Sequence, residues 1–244
     1  MIAKRVMEAL KRQDWTMVFI EFVLVVLGVV MGFQINDWGT ERAEARERLE
    51  ATDRLLEEAE LDVAYLRQAV LRQRGVSKAV NFALERLEAG HLDQSSRASF
   101  SAGLFGLEGS LPLEPPSSVY DDVVSAGELG RLGDPALREA IAGYHAALSF
   151  DQRVAAEMQN KIRSSITFPA VTVHYQPSQI GDQTRIDFDF TGLLRDQSFR
   201  KEMVRAGQMH VFLLARRKEA FEAAVRMCTL LGQWAHRPCK LDRD

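Results

Sequence analysis

The chain has 244 residues, of which 46% are hydrophobic and 27% charged, and its formal net charge is −3. That balance is ordinary for a folded protein, argues against a disordered one, and lacks the basic excess that nucleic acid attracts. Its only cysteines, Cys228 and Cys239, have no second Cys or His pair at the spacing a structural zinc site needs.

Residues Met1 to Asp14 place Ile2, Val6, Met7 and Leu10 among basic residues. They read either as a short amphipathic helix on anionic headgroups or as a plain topogenic charge cluster. The stretch from Trp15 to Trp38, WTMVFIEFVLVVLGVVMGFQINDW, follows. Between Met17 and Ile35 it is apolar except for Glu21 and Gln34, about 19 residues or roughly 28 Å as a helix. Trp15 and Trp38 stand where amphipathic rings prefer the water interface. The expectation is one N-terminal transmembrane helix over 15–38, uncleaved because no Ala-x-Ala pattern follows it.

Lys4, Arg5, Lys11 and Arg12 precede this helix, and Arg42, Arg46 and Arg48 follow it. With the terminal amine added, the bias predicts a cytoplasmic N-terminus and an extracytoplasmic remainder. Glu21, Val25, Gly28, Gly32 and Ile35 fall within about 40° of one another at 100° per residue. Gly28 and Gly32 form a GxxxG, which lets helix backbones approach closely in a bilayer. The candidate helix–helix interface is therefore Glu21, Val25, Gly28 and Gly32, facing a second copy or another membrane protein. For Glu21 the alternative is simply to reach the headgroup layer.

From Thr40 to Arg74 a charge-laced helix is expected. Leu49, Leu56, Val63 and Val70 recur every seven residues, and Thr52, Ala59 and Leu66 follow three later. Glu44–Arg48 and Glu50–Arg54 are i,i+4 pairs in the favoured order. The seam suits a dimeric coiled coil or one wall of an intramolecular bundle; Leu55 and Leu61 widen it toward the bundle. Only Gly39 separates this helix from the anchor. Gly75 is expected to loosen it, with apolar spacing resuming from Val76 to Leu87 and stopping at Gly90.

Ser96 to Leu107 reads as a short helix, and Gly109 to Pro116 as loop. Ser117 and Ser118 are candidate caps for a helix from Val119 to Ala126, ended by Gly127. Asp134-Pro135 opens a long helix to about Ser165, whose buried face is Leu137, Ile141, Tyr144, Leu148, Val154, Met158 and Ile162. Val171, Val173 and Tyr175, then Ile186, Phe188 and Phe190, alternate at strand spacing and suggest a small hairpin or an extended excursion. Ser198 to Trp234 reads as a last long helix through Phe199, Met203, Val211, Phe212, Ala215, Phe221, Val225 and Leu230.

Two stretches carry a resemblance. The anchor from Glu21 through Gln34-Ile-Asn-Asp-Trp38 resembles the N-terminal signature of a family of uncharacterised bacterial single-pass membrane proteins. Val119-Tyr-Asp-Asp-Val-Val-Ser-Ala-Gly127 through Leu137 to Tyr144 is similar to that family's central motif. Gly130 and Gly133 depart from it, standing where bulkier residues are expected. The resemblance implies a bacterial inner-membrane location and helical architecture, and no reaction.

The chemistry-bearing residues are scattered. His91, His145, His174, His210 and His236 belong to no HExxH, and neither a GxSxG nor a phosphate-binding glycine loop is present. Glu88 and His91 have Glu-x-x-His spacing, but a di-iron bundle needs two such motifs and further glutamates. Asp121 and Asp122 are adjacent, so a helix directs them apart. No catalytic, cofactor or metal residue is nominated.

The fold expected is mainly α: the transmembrane helix, then a bundle of about four long helices with a small hairpin insertion. It divides as 1–14, a lead-in; 15–38, the anchor; 39–235, the bundle; and 236–244, a tail that Cys228 and Cys239 could tie down in an oxidising compartment. The function expected is a non-enzymatic, membrane-anchored interaction module partnered by the bilayer and by itself or another membrane protein. The alternative is an extracytoplasmic bundle that senses a small ligand and acts through a partner.

Overall fold

A computed structural model describes residues 15–132, 135–163, 169–174 and 185–241. Met1 to Asp14, Asp134, where a helix cap was expected, and residues 175–184 between the two strands lie outside them. The protein is mainly helical. Its helices are α1 (Trp15–Ala89), α2 (Arg97–Phe105), α3 (Ser118–Ser125), α4 (Pro135–Arg163), α5 (Phe190–Arg195) and α6 (Gln197–Trp234). Strands β1 (Val171–His174) and β2 (Arg185–Phe188) pair antiparallel, Val171 opposite Phe188.

Neither Gly39 nor Gly75 interrupts α1, which runs for 75 residues. A Cβ at Gly75 would meet nothing within 4 Å, and the backbone there is not left-handed. The glycine costs only its propensity, about 1 kcal/mol, which a long packed helix absorbs. The helix stops at Gly90, whose φ of 70° is the left-handed cap glycine supplies without strain. The bundle consequently has three long helices among the described residues, α1, α4 and α6, where about four were expected.

The chain forms two compact units, Met1–Glu50 and Ala51–Asp244. In the first, Phe19, Ile20, Phe22 and the apolar side chains from Leu24 to Met31 are all exposed. The uninterrupted described run, Phe22 to Met31, spans only about 15 Å as a helix. Among the described residues no helix is long and apolar enough to cross a membrane. The side chains of Trp15, Glu21, Gly32 and Trp38 lie outside the described set.

In the second unit the seam of α1 is consumed inside the chain. Leu56, Ala59, Val63 and Leu66 pack against Leu137, Ile141 and Tyr144 of α4 and Ala220, Ala224, Met227 and Leu231 of α6. Thr52, Leu55 and Val70 are buried too, whereas Leu49, expected to open the seam, and Leu61 are exposed. The intramolecular bundle, rather than a dimeric coiled coil, uses this face.

Further along α1, Val80, Ala83 and Leu87 meet Phe100 and Leu104 of α2, Ile186 of β2, Leu193 of α5 and Phe199 and Met203 of α6. Close approach of α2 depends on Gly103, where a Cβ would lie 2.5 Å from the Ala79 carbonyl oxygen. Phe190 does not extend the strand pattern. Asp189 accepts a hydrogen bond from the Thr191 amide and so caps α5, which Phe190 begins.

On α6 the expected apolar face is rotated. Phe199 and Met203 are buried, but Val211, Phe212 and Ala215 are exposed, and His210, Leu213, Arg217 and Ala220 take the interior. Polar His210 and Arg217 can do so because the interior supplies hydrogen-bond partners for both.

Candidate functional site

The bundle interior carries an unusual load of ionisable groups, beginning with one turn of α1. Glu58, Glu60 and Asp62 are all buried. Glu58 Oε2 accepts from the Val119 amide at 2.8 Å and the Ser118 hydroxyl at 3.5 Å, while Oε1 accepts from the Tyr120 amide at 3.0 Å. Two orphan backbone donors at the start of α3, and the Ser118 hydroxyl, are thereby satisfied by a carboxylate from another helix, and the macrodipole favours its charge there. The expected serine caps do not act as such. Ser117 occupies the N-cap without a capping bond, and its hydroxyl donates to Asp121 at 2.9 Å.

One turn on, Asp62 faces Tyr144 of α4. Burial pushes the Asp62 carboxyl up to about 7, against an opposing pull from the Tyr144 hydroxyl, and nearby Glu58 adds to the rise. Burial and the same carboxyl push the Tyr144 phenol up as well. The two groups interact electrostatically, yet neither the hydroxyl nor Asp62 Oδ1 reaches hydrogen-bonding geometry with any group. Asp62 is held protonated through much of the acidic range because water is excluded from it. Next door, His145 stacks on Tyr120 with ring centroids 3.3 Å apart. Burial lowers its pKa to about 4, so it is neutral near pH 7.

A second polar cluster joins all three long helices. The Gln73 amide nitrogen donates to His210 Nδ1 at 2.9 Å, and its oxygen accepts from Arg217 at 3.0 Å and from the Ser110 hydroxyl at 3.0 Å. His210 Nε2 lies 2.8 Å from the Gly106 carbonyl. A carbonyl can only accept, so Nε2 carries the proton and Nδ1 receives the Gln73 hydrogen. The imidazole is neutral, and burial lowers its pKa in keeping with that assignment. Arg217 also donates to the Leu111 carbonyl at 2.6 Å and lies 3.6 Å from Asp151. Burial raises the Asp151 pKa and lowers that of Arg217; each opposes the shift of the other.

The C-terminal segment is clasped rather than loose. α6 ends at Trp234 with Ala235 as its C-cap, after which His236 adopts φ 53°. The His236 amide donates to Gln233 O and the Arg237 amide to Gly232 O, closing a Schellman motif. Arg237 Nη1 then donates to Glu60 at 3.0 Å, with Asp53 and Glu57 at 3.7 and 3.9 Å. The Lys240 amide donates to the same Glu60 oxygen at 3.0 Å, and Arg67 donates to the Leu241 carbonyl. Cys228 and Cys239 are disulfide-bonded, their Cα atoms 5.7 Å apart.

Among the described residues no group of three His, Cys, Asp or Glu could hold a metal ion. Asp121 and Asp122 have separate partners, Ser117 and Arg54. Of the residues nominated for a helix–helix interface, Val25 and Gly28 lie on α1 and are exposed; a Cβ at Gly28 would meet nothing within 4 Å.

The buried carboxylates were missed by sequence reading because they share a stretch of alternating charge with solvated neighbours. A groove of about 620 Å³ between α4 and α6, lined by Arg153, Val154, Glu157, Arg205, Gln208, Met209 and Phe212, was missed as well. No family model, curated protein or solved structure matches the chain.

Proposed function

We propose that the protein is a non-enzymatic interaction module, held in a bacterial inner membrane by the segment Trp15 to Trp38, with the bundle on the extracytoplasmic side. The observation that carries the reading is the row of exposed apolar side chains from Phe19 to Met31. In water a helix that leaves such a row uncovered is unfavourable by about 25 cal/mol for each Å² exposed, and a bilayer removes that cost. The described run is shorter than a bilayer core; the apolar sequence on either side, from Met17 to Ile35, supplies the remaining length. The sequence likeness of this stretch and of Val119 to Tyr144 to a family of bacterial single-pass membrane proteins points the same way.

The basic residues before the segment and the Cys228–Cys239 bond, which an oxidising compartment favours, support this orientation. The engagement of Glu58, Glu60, Gln73 and Arg217 in bonds that tie the helices together supports an interaction role. A ligand-sensing bundle acting through a partner protein is the second reading, favoured by the groove between α4 and α6.

Alkaline carbonate extraction of membranes from cells making the full chain tests the anchor. The protein is expected in the pellet, and a Val25→Arg, Leu27→Arg, Val29→Arg variant in the supernatant. Wild-type protein released by carbonate would sink the proposal.

A further inference from the structure

Residues Ala235 to Leu241 turn back from the end of α6 and reach α1. Against α6 they are seated closely: a Cβ at Gly232 would lie 2.7 Å from the Arg237 carbonyl oxygen and 2.9 Å from the Cys239 amide nitrogen. On α1 they are held by polar contacts. Arg237 and the Lys240 amide both donate to buried Glu60, and Arg67 donates to the Leu241 carbonyl. The disulfide from Cys239 back to Cys228 closes a ring across 11 positions.

We infer that this segment is a redox-governed strap. With the Cys228–Cys239 bond closed it covers the acidic turn of α1 that carries Asp53, Glu57 and Glu60. With the bond reduced it leaves that turn while the bundle beneath stays folded. The inference concerns the bundle alone and stands whether or not the chain is anchored. Three features carry it.

The first is that the strap can leave without the core. Leu56, Val63 and Leu66 of α1, Leu137 and Ile141 of α4 and Met227 of α6 fill the main cluster, to which the strap adds Ala235 and Cys239, both only partly buried. Opening therefore uncovers little apolar surface. The second is that its non-covalent hold leans on the tether. Asp53 and Glu57 lie 3.7 and 3.9 Å from Arg237 and are 56% and 65% exposed, so solvent and salt screen both pairs. Glu60 lies beneath the strap, and water reaches its carboxylate as the strap lifts, replacing the two bonds. Removing a tether across 11 positions raises the opening equilibrium by about a hundredfold on the chain-entropy account.

The third is that the bond is approachable from one side. Cys228 is wholly buried on α6, whereas Cys239 is half-buried. The reductant the strap needs is a dithiol, one of whose thiolates attacks the Cys239 sulfur. A mixed disulfide forms on Cys239, and the Cys228 sulfur leaves with the electron pair and takes up a proton. The second thiolate then attacks the reductant's own sulfur in that mixed disulfide, and Cys239 leaves as a thiolate and is protonated. Two electrons and two protons pass to the protein, and the dithiol ends as a disulfide.

The test uses the full chain in mild detergent, with hydrogen exchange read by mass spectrometry with and without dithiothreitol and the helical signal followed alongside. Reduction is expected to speed exchange over residues 237–241 by about a hundredfold and to leave α4 and the middle of α6 unchanged. Cys239→Ser should behave like reduced wild type without any reductant. Arg237→Gln, which keeps the bond, should leave the oxidised strap protected and loosen the reduced one further. Equal protection of the strap in both redox states would overturn the inference. So would faster exchange spread evenly over α1, α4 and α6, the mark of a bond that staples the whole bundle. A bond that dithiothreitol opens only after the bundle has been unfolded would do the same. An oxidised Arg237→Gln strap that exchanges freely would show that the arginine, not the bond, governs the segment, again against the inference.

Discussion

Replacing Asp62 by asparagine should change how stability depends on pH. Asp62 is 3% exposed. It is faced by Tyr144 from α4, with Glu58 one turn away on its own helix. Burial raises its carboxyl from 3.8 to about 7. Between those values the folded chain holds a proton that the unfolded chain has released. The contribution of Asp62 to stability is therefore full below pH 4, falls as pH rises toward 7, and is constant above that. Each pH unit in the window is worth about 1.4 kcal/mol, so the whole loss is of the order of 4 kcal/mol.

Other carboxylates titrate in the same range, which makes the difference between variant and wild type the informative quantity. The asparagine side chain does not titrate. Guanidinium unfolding of both proteins at pH 4, 5, 6, 7 and 8 should show the Asp62→Asn variant gaining on wild type by about 1 kcal/mol or more per unit up to pH 7, then holding constant. A difference independent of pH from 4 to 8 would refute the reasoning. It would mean that the carboxyl is ionised throughout and compensated by a partner.

Two further outcomes follow from geometry. Reduction of the Cys228–Cys239 bond, whose cysteines are 11 apart in sequence, should lower stability by about 3 kcal/mol on the chain-entropy account. Matched denaturation curves with and without reductant measure it; coincident curves would show that the Arg237 clasp alone holds the segment. Gly75→Ala and Gly103→Ala should differ in sign. The first adds a methyl to open helix and should stabilise by up to about 1 kcal/mol. The second drives a Cβ into the Ala79 carbonyl and the Ala83 side chain and should destabilise by about 1–3 kcal/mol. Thermal melts of the two variants decide, and equal shifts would contradict the packing described for α2.

Regular apolar spacing made much of the fold legible. Leu56, Ala59, Val63 and Leu66 announced the buried face of α1, and Leu137, Ile141 and Tyr144 that of α4. The alternation of Val171, Val173, Ile186 and Phe188 became a two-stranded sheet. What periodicity could not supply was which polar residues would be enclosed. Glu58 resembles every other glutamate on a charged helix. Its burial depends on Ser118, Val119 and Tyr120, about sixty positions away.

The same blindness rotated α6. Val211 and Phe212 looked better core residues than His210 and Arg217, because the pattern could not show Gln73 waiting on α1 to receive both. Gly75 misled in the opposite direction: a helix breaker in isolation is merely a weak position inside a well-packed rod.

The segment from Gly109 to Pro116 bears on how the protein meets peptidases. Prolines and a glycine usually mark a surface loop that is nicked early, and Leu111 projects at 77% exposed, an attractive side chain for such enzymes. Cleavage, however, requires the backbone to be drawn out straight across a protease cleft. Here the Leu111 carbonyl is held by Arg217, the Leu113 carbonyl by Gln152 at 2.7 Å, and the Glu114 amide by the Tyr65 hydroxyl at 3.0 Å. Stretching this loop would break bonds to three different helices at once, so its peptides should be cut only as fast as the bundle itself opens.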